Sequence, residues 1–415
     1  MRRMSSRARR KILLLMRRRQ RKAATRRSCH LRRTSDGSRI HFRQRSSRWS
    51  VDLNAFRKST EGIARWPLAR STRVGRAGEV YNCMRLTAPA DFRLHLNHDS
   101  IMSYVYELRR QVFVNDRFRG FGTKRRPSLY IDLDQIVDLD VEGALLLAAE
   151  LDRIRRVLGM RALMDDANWH PRVRSILYGL GLYTVTEAGR VRADVPIADF
   201  VGPADAAGLS IVPFLSCTRA DPGKALELRQ ALYERCAPPG DASQLAVYDA
   251  LVEAFNNAIG HAYLDEYPGD GLPRIRRWWA CALIDHANGY LYLVVYDQGV
   301  GIPATLQRRG LLDRLRGHRP ERTDADVIAG ALEYGRSGTS NDALFGDEAD
   351  GRGNGLWRMC ELAETFEDAD VRFTSLKGDV LYAKGGALEQ TTLQTRFCGT
   401  MIRWRTTIGA QELPE

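Results

Sequence analysis

Most of the residue arrangements that announce a chemistry are missing from this sequence. Its seven cysteines and eight histidines form no C-x-x-C pair and no Cys/His spacing of the zinc type, which excludes the common structural zinc modules. The cysteines (Cys29, Cys83, Cys217, Cys236, Cys281, Cys360, Cys398) are odd in number and unpatterned, so they point to reduced thiols in a cytoplasm rather than a disulfide framework. Long apolar runs are absent too. The strongest near the N-terminus, Ile12 to Met16, is too short for a membrane span or a signal-peptide core. No Gly-Lys-Ser/Thr closes a glycine-rich loop, which excludes a P-loop, and no repeat of fixed period is present. Acidic residues are scarce in one region only. Residues 1–80 hold 25 Lys/Arg and 4 Asp/Glu, a charge of +21, so the +14 of the whole chain conceals a remainder at −7.

At 415 residues and 44% hydrophobic content, two or three domains with a sizeable core are expected. Residues 1–83 read as a basic, Arg- and Ser-rich disordered segment, because little apolar periodicity is available to offset chain entropy. Three readings stay open: a tail for nucleic acid or an anionic membrane, a transit peptide, or an over-extended start, with Met84 opening ordinary composition. Only if the Arg-rich segment is genuine does nucleic acid enter as a partner. Aromatics are absent from its most basic part, so base stacking has little support.

Residues 90–198 read as a small α/β domain. Leu129 to Leu133 has the apolar run of a buried strand. Leu147, Leu151, Ile154 and Leu158 mark one stripe of a helix. Met160 to Met164 suggests a second strand, and Pro171 to Gly179 a helix with proline at its start and glycine at its end. The sequence Asp132-Leu133, Asp140-Val141-Glu142-Gly143, Pro171-Arg172-Val173-Arg174 and Leu180-Gly181-Leu182 resembles the STAS domain, the fold of anti-sigma-factor antagonists. Signalling members carry a phosphorylatable Ser or Thr where this chain has Val141-Glu142. Glu142 is therefore either a fixed negative charge at a helix N-terminus, favoured by the dipole, or an ordinary first-turn acid.

After a Gly/Pro/Ala-rich linker, residues 205–412 carry three ordered blocks. The first is Glu253-Ala254-Phe255-Asn256-Asn257-Ala258-Ile259-Gly260-His261, on a helix expected over 243–263. Glu253, Asn257 and His261 are four apart and share one helix face. A carboxylate and a carboxamide one turn apart suit a general base and a hydrated Mg²⁺; an amphipathic helix with a polar face is the plainer alternative. The second block, Asp297-Gln298-Gly299-Val300-Gly301, ends a β-rich run. There an Asp can accept from an exocyclic amine while glycines let the backbone approach a ligand. The third, Gly351-Arg352-Gly353-Asn354-Gly355-Leu356, precedes a helix whose N-terminus offers N–H donors to an anion. A weaker block, Gly399-Thr400, lies near the C-terminus.

Together the blocks resemble the GHKL superfamily, which includes gyrase, histidine kinases and the mismatch-repair ATPases. The resemblance implies an α/β sandwich of helices on a mixed sheet that binds ATP and Mg²⁺. It implies Glu253 as general base and Asn257 as Mg²⁺ ligand. Asp297, Gly299, Gly301 and Thr400 would form the adenine pocket, and Gly351, Gly353 and Gly355, with Leu356 next to them, the phosphate loop. His261 and Arg352 are candidate phosphate contacts, each against a packing or solvated-surface alternative. Gly335 to Ser340 would serve as a lid. No histidine lies in a paired-helix pattern before this region, and no transducer domain follows, so an ordinary histidine kinase and a gyrase-type machine are both disfavoured. The expectation is a cytoplasmic regulatory protein acting as a serine/threonine kinase or anti-sigma-type switch, with the STAS-like domain docking a protein partner. The superfamily also includes dimeric switches, so a homodimer is a further expectation. A nucleotide-gated interaction module without turnover is the alternative.

Overall fold

The computed structural model describes residues 31–33, 39–43, 48–74, 80–117, 127–159, 162, 164–184, 208–236, 241–263, 269–308, 322–336 and 355–408. The chain is α/β, as expected. Strands β1 (Leu31–Arg33), β2 (Arg39–Arg43) and β3 (Arg48–Asp52) form an antiparallel sheet followed by helix α1 (Leu53–Ser59). Strands β4 (Ala69–Val74), β5 (Val80–Thr87) and β7 (Ser128–Asp132) form a mixed sheet in which β5 and β7 run parallel. Two short strands, β6 (Asp91–Phe92) and β8 (Asp138–Leu139), also pair in parallel. Helix α2 (His98–Arg109) lies between β6 and β7, while α3 (Val141–Leu158) and α4 (Pro171–Gly179) follow β8.

The expected disordered segment 1–83 is corrected over 48–74 and 80–83. Val51, Leu53 and Phe56 are buried in the main core, and the Asp52 carboxylate caps α1 by accepting from Asn54 and Ala55 N–H. The Trp66 indole donates to the Thr87 carbonyl at 2.7 Å. Met84 lies inside β5 rather than at a boundary. The mean charge of this stretch hid a few well-spaced apolar side chains that the neighbouring layers bury. Residues 1–30 lie outside the described residues. The expected strand at 160–164 reduces, among the described residues, to a single bridge at Ala162.

The large sheet contains β9 (Leu209–Cys217), β10 (Trp278–Asp285), β11 (Tyr290–Asp297), β12 (Asp370–Ser375), β13 (Gly378–Ala383), β14 (Ala387–Thr392) and β15 (Thr400–Thr407). Their order is β14-β13-β12-β15-β11-β10-β9, and each neighbouring pair is antiparallel. β15 inserts between β11 and β12, which would otherwise be parallel neighbours. Mixed pairing is thus a property of the smaller sheet, not of this one.

Every residue of β10 is buried, because both faces of the sheet are covered. On one face lie α5 (Pro222–Tyr233), α6 (Asp241–Gly260), α8 (Asp324–Arg336) and α9 (Gly355–Thr365), around a core that includes Trp278, Phe255 and Trp404. On the other lie α3 and α4, whose apolar side chains join Trp279, Cys281, Leu283 and Tyr296 in one continuous core. The two expected domains therefore share the sheet as a common wall. The spans 90–198 and 205–412 do not mark two separate cores, since the apolar side chains of α3 share one buried cluster with those of β10 and β11. No helix among the described residues is long and apolar enough to cross a membrane.

Candidate functional site

Helix α6 sets the geometry. Val247, Ala250, Leu251, Ala254, Phe255 and Ala258 are buried on its sheet side, and Phe255 stacks flat on Trp278 with ring centroids 3.7 Å apart. That packing turns Glu253 and Asn257, one turn apart, away from the sheet. Helix α9 packs beside α6, and its first residue closes on this pair. A Cβ placed on Gly355 would meet Glu253 Oε2 at 3.0 Å and Asn257 Nδ2 at 3.3 Å. The first and third sequence blocks, about a hundred residues apart, thus meet. Asn257 Nδ2 is buried without a hydrogen-bond partner among the described residues. An acceptor on a polar ligand would satisfy this donor, and with the amide turned over the same position would present Oδ1 to an oxygen-seeking cation. Arg358, one turn into α9, donates to Glu253 Oε1 at 3.1 Å.

The second block sits beside the end of the same helix. Val300 N–H donates to the Ala262 carbonyl at 2.8 Å, and Gln298 N–H donates to the Tyr263 hydroxyl at 3.1 Å. Gly299 packs so closely that an added Cβ would lie 2.4 Å from the Ala262 oxygen. Gly301 has φ +91°, and a Cβ there would meet Ser375 Oγ at 2.7 Å. Neither position admits a side chain. His261 lies at the helix end. Its N–H donates to the Asn257 carbonyl at 3.0 Å, and its own carbonyl accepts from Thr305 Oγ1 at 3.4 Å.

Asp297 ends β11 opposite Thr400, the first residue of β15. Both are buried. Burial pushes the Asp297 carboxyl up to about 7, against the opposing pull of the Gly299 and Thr400 backbone N–H groups. Asp297 Oδ1 accepts from Gly299 N–H at 2.7 Å. Ser375 joins them from β12: its hydroxyl donates to the Gly399 carbonyl at 3.0 Å, accepts from Ile302 N–H at 3.0 Å and lies 3.3 Å from Thr400 Oγ1.

Ser375 and Arg358 have no signal in the sequence, because sheet order and helix packing alone bring them in. Gly351, Arg352, Gly353 and residues 337–340 of the expected lid lie outside the described residues. Gly335 and Arg336 end helix α8, and Leu356 follows Gly355 in α9, partly buried against the core on the α6 face.

A carboxyl raised by burial favours the folded state while it is neutral. Its contribution is fully present below the ordinary carboxylate value of 3.8 and is lost as pH rises through about 7. Glu142 is raised to about 7 as well and acts in the same direction. Asp297→Asn should therefore flatten, but not abolish, the fall in melting temperature between pH 5 and 8. An unchanged slope would place the Asp297 carboxylate in a solvated, ionised state.

No protein-family model matches the chain, and no curated protein matches it.

Proposed function

We propose that this chain is a regulatory Mg-ATP-binding protein with a histidine-kinase-like nucleotide site of the GHKL type. One observation carries the reading: Gly355 of the third block lies against Glu253 and Asn257 of the first, while the second block is hydrogen-bonded to the end of the same helix. Asp297, buried and next to Thr400 and Ser375, would accept from the adenine amine. Asn257 would offer its carboxamide oxygen to Mg²⁺, which keeps several waters. Bound Mg-ATP supplies an electrophilic terminal phosphorus. Glu253 would take the proton from a water or from a hydroxyl of a partner protein. The α9 N-terminus would hold phosphate oxygens by its N–H groups.

On this reading the α3–α4 layer docks a protein partner, consistent with its STAS-like pattern, and the output is phosphate transfer in trans or slow hydrolysis in a cytoplasmic switch. A second reading, a nucleotide-gated interaction module without turnover, draws on Arg358. Its bond to Glu253 occupies an oxygen the base would need.

Displacement of a fluorescent ATP analogue tests the adenine assignment. At pH 8, where the Asp297 carboxyl is mostly ionised, ATP should compete at least about tenfold better than GTP, because a carboxylate acceptor meets the 6-amine of adenine but repels the 6-oxo group of guanine. Asp297→Asn should erase that preference. Equal competition by the two nucleotides in the unaltered chain would overturn it.

A further inference from the structure

A cavity of about 450 Å³ opens on the sheet face opposite Glu253, between the N-terminus of α3 and strands β12 and β15. That is the size of a small-molecule pocket. Leu139, Ile176, Leu283 and Leu381 give it an apolar side, and Arg172, Arg372, Arg403 and Arg405 line the other. The nucleotide reading uses none of these residues.

Arg372 and Arg403 stand directly opposite each other in the β12–β15 register. Like charges in that position repel, and each is offset by a carboxylate: Arg372 Nη1 donates to Asp379 at 3.0 Å and Arg403 Nη1 to Asp370. Arg403 is only 8% exposed. The Nε–H of each arginine is buried with no hydrogen-bond partner among the described residues, and a buried donor left unmatched is costly.

The nearby acids do not meet this demand. Asp370 already accepts from Arg403 Nη1 and Arg405 Nε. Asp140 caps α3 through Gly143 N–H, accepts from Leu94 N–H and lies 3.2 Å from His95 Nδ1. Asp285 accepts from Asn288. Glu142 makes no hydrogen bond among the described residues; its Oε1 is 3.5 Å from Arg403 Nε. Burial first, and then Asp140, push the Glu142 carboxyl up to about 7. The donors left unmatched among the described residues are two arginine Nε–H groups, beside the first turn of an eighteen-residue helix.

We propose that this cavity binds a phosphate-bearing small molecule, its phosphate held between Arg372, Arg403 and the α3 N-terminus and its apolar part against Leu283 and Leu381. The same cavity holds a His95–Asp140–Glu142 group with ligand atoms within 4.8 Å of one another. Arg403 beside Glu142 opposes a cation there, so a metal is the competing outcome.

Equilibrium dialysis of the full chain against radiolabelled inorganic phosphate, with saturating Mg-ADP present to block any nucleotide site, decides the matter. One saturable phosphate site is expected. Arg372→Gln should weaken it about tenfold, since it removes a charge-assisted donor. Glu142→Gln, which keeps the shape and removes the neighbouring acid, should tighten it severalfold. The opposite signs of the two variants separate ligand binding from loss of folding. Absence of saturable binding or indifference to both variants would overturn the proposal. So would Mn²⁺ binding that Glu142→Gln abolishes. None of these outcomes depends on whether ATP binds the other face.

Discussion

Glu150→Ala should cost about 3–5 kcal/mol of folding stability, the range for removing one partner of a buried ion pair. Arg109 and Glu150 have no exposed side-chain surface. Glu150 Oε2 accepts from Arg109 Nε at 3.1 Å, and Oε1 accepts from Arg109 Nη2 and, at 2.7 Å, from Gln298 Nε2. Truncation leaves a guanidinium in the core with Asp270, 3.5 Å away, as its remaining counter-charge among the described residues. It also strips a hydrogen bond from the residue that follows Asp297. A urea titration reads the effect as a lower midpoint at unchanged slope. Replacing both partners by apolar groups, Arg109→Met with Glu150→Leu, should recover much of the loss, because an unpaired charge rather than the pair itself is what the core rejects. A Glu150→Ala variant within about 1 kcal/mol of the parent would show that water reaches this pair.

Glu253→Ala should lower ATP turnover or phosphate transfer by about two to four orders of magnitude, the usual worth of a positioned general base, and leave ATP affinity within a few-fold. Glu253 is part-exposed on α6, and its ion pair to Arg358, the one found among the described residues, is more than half exposed on the arginine side. Its removal should change stability by less than about 1 kcal/mol. Single-turnover kinetics beside nucleotide binding separate the outcomes. Lost affinity with a normal fold would make Glu253 a binding residue. Undetectable turnover in both parent and variant, with tight ATP binding in both, would favour the nucleotide-gated module.

The sequence made most of the local structure on the α6 side of the sheet legible. The four-residue spacing of Glu253 and Asn257 placed them on one face of a helix, and the Tyr290 to Asp297 run is a strand ending where expected. Strand order was not legible. No local pattern says that β15 enters between β11 and β12, yet that insertion sets Thr400 opposite Asp297 and brings in Ser375. The basic composition near the N-terminus masked Val51, Leu53 and Phe56, since charge averages respond to the many arginines and burial to a few apolar residues. The shared wall was hidden for a related reason. The alternation of Trp278 and Trp279 between the two cores shows that both faces of β10 are covered, but not by which part of the chain. Glu142, read as either a fixed negative charge at a helix N-terminus or an ordinary first-turn acid, is 5% exposed and faces Arg403.

The account rests on nucleotide binding at the α6–β11–α9 corner. Calorimetric titration of ATP into the full chain, with and without Mg²⁺ and in parallel with Asp297→Asn, tests it most directly. The account predicts one site per chain that needs Mg²⁺ for full affinity and collapses in the variant. No heat of binding from a well-folded chain, or binding that ignores both Mg²⁺ and Asp297, would contradict it.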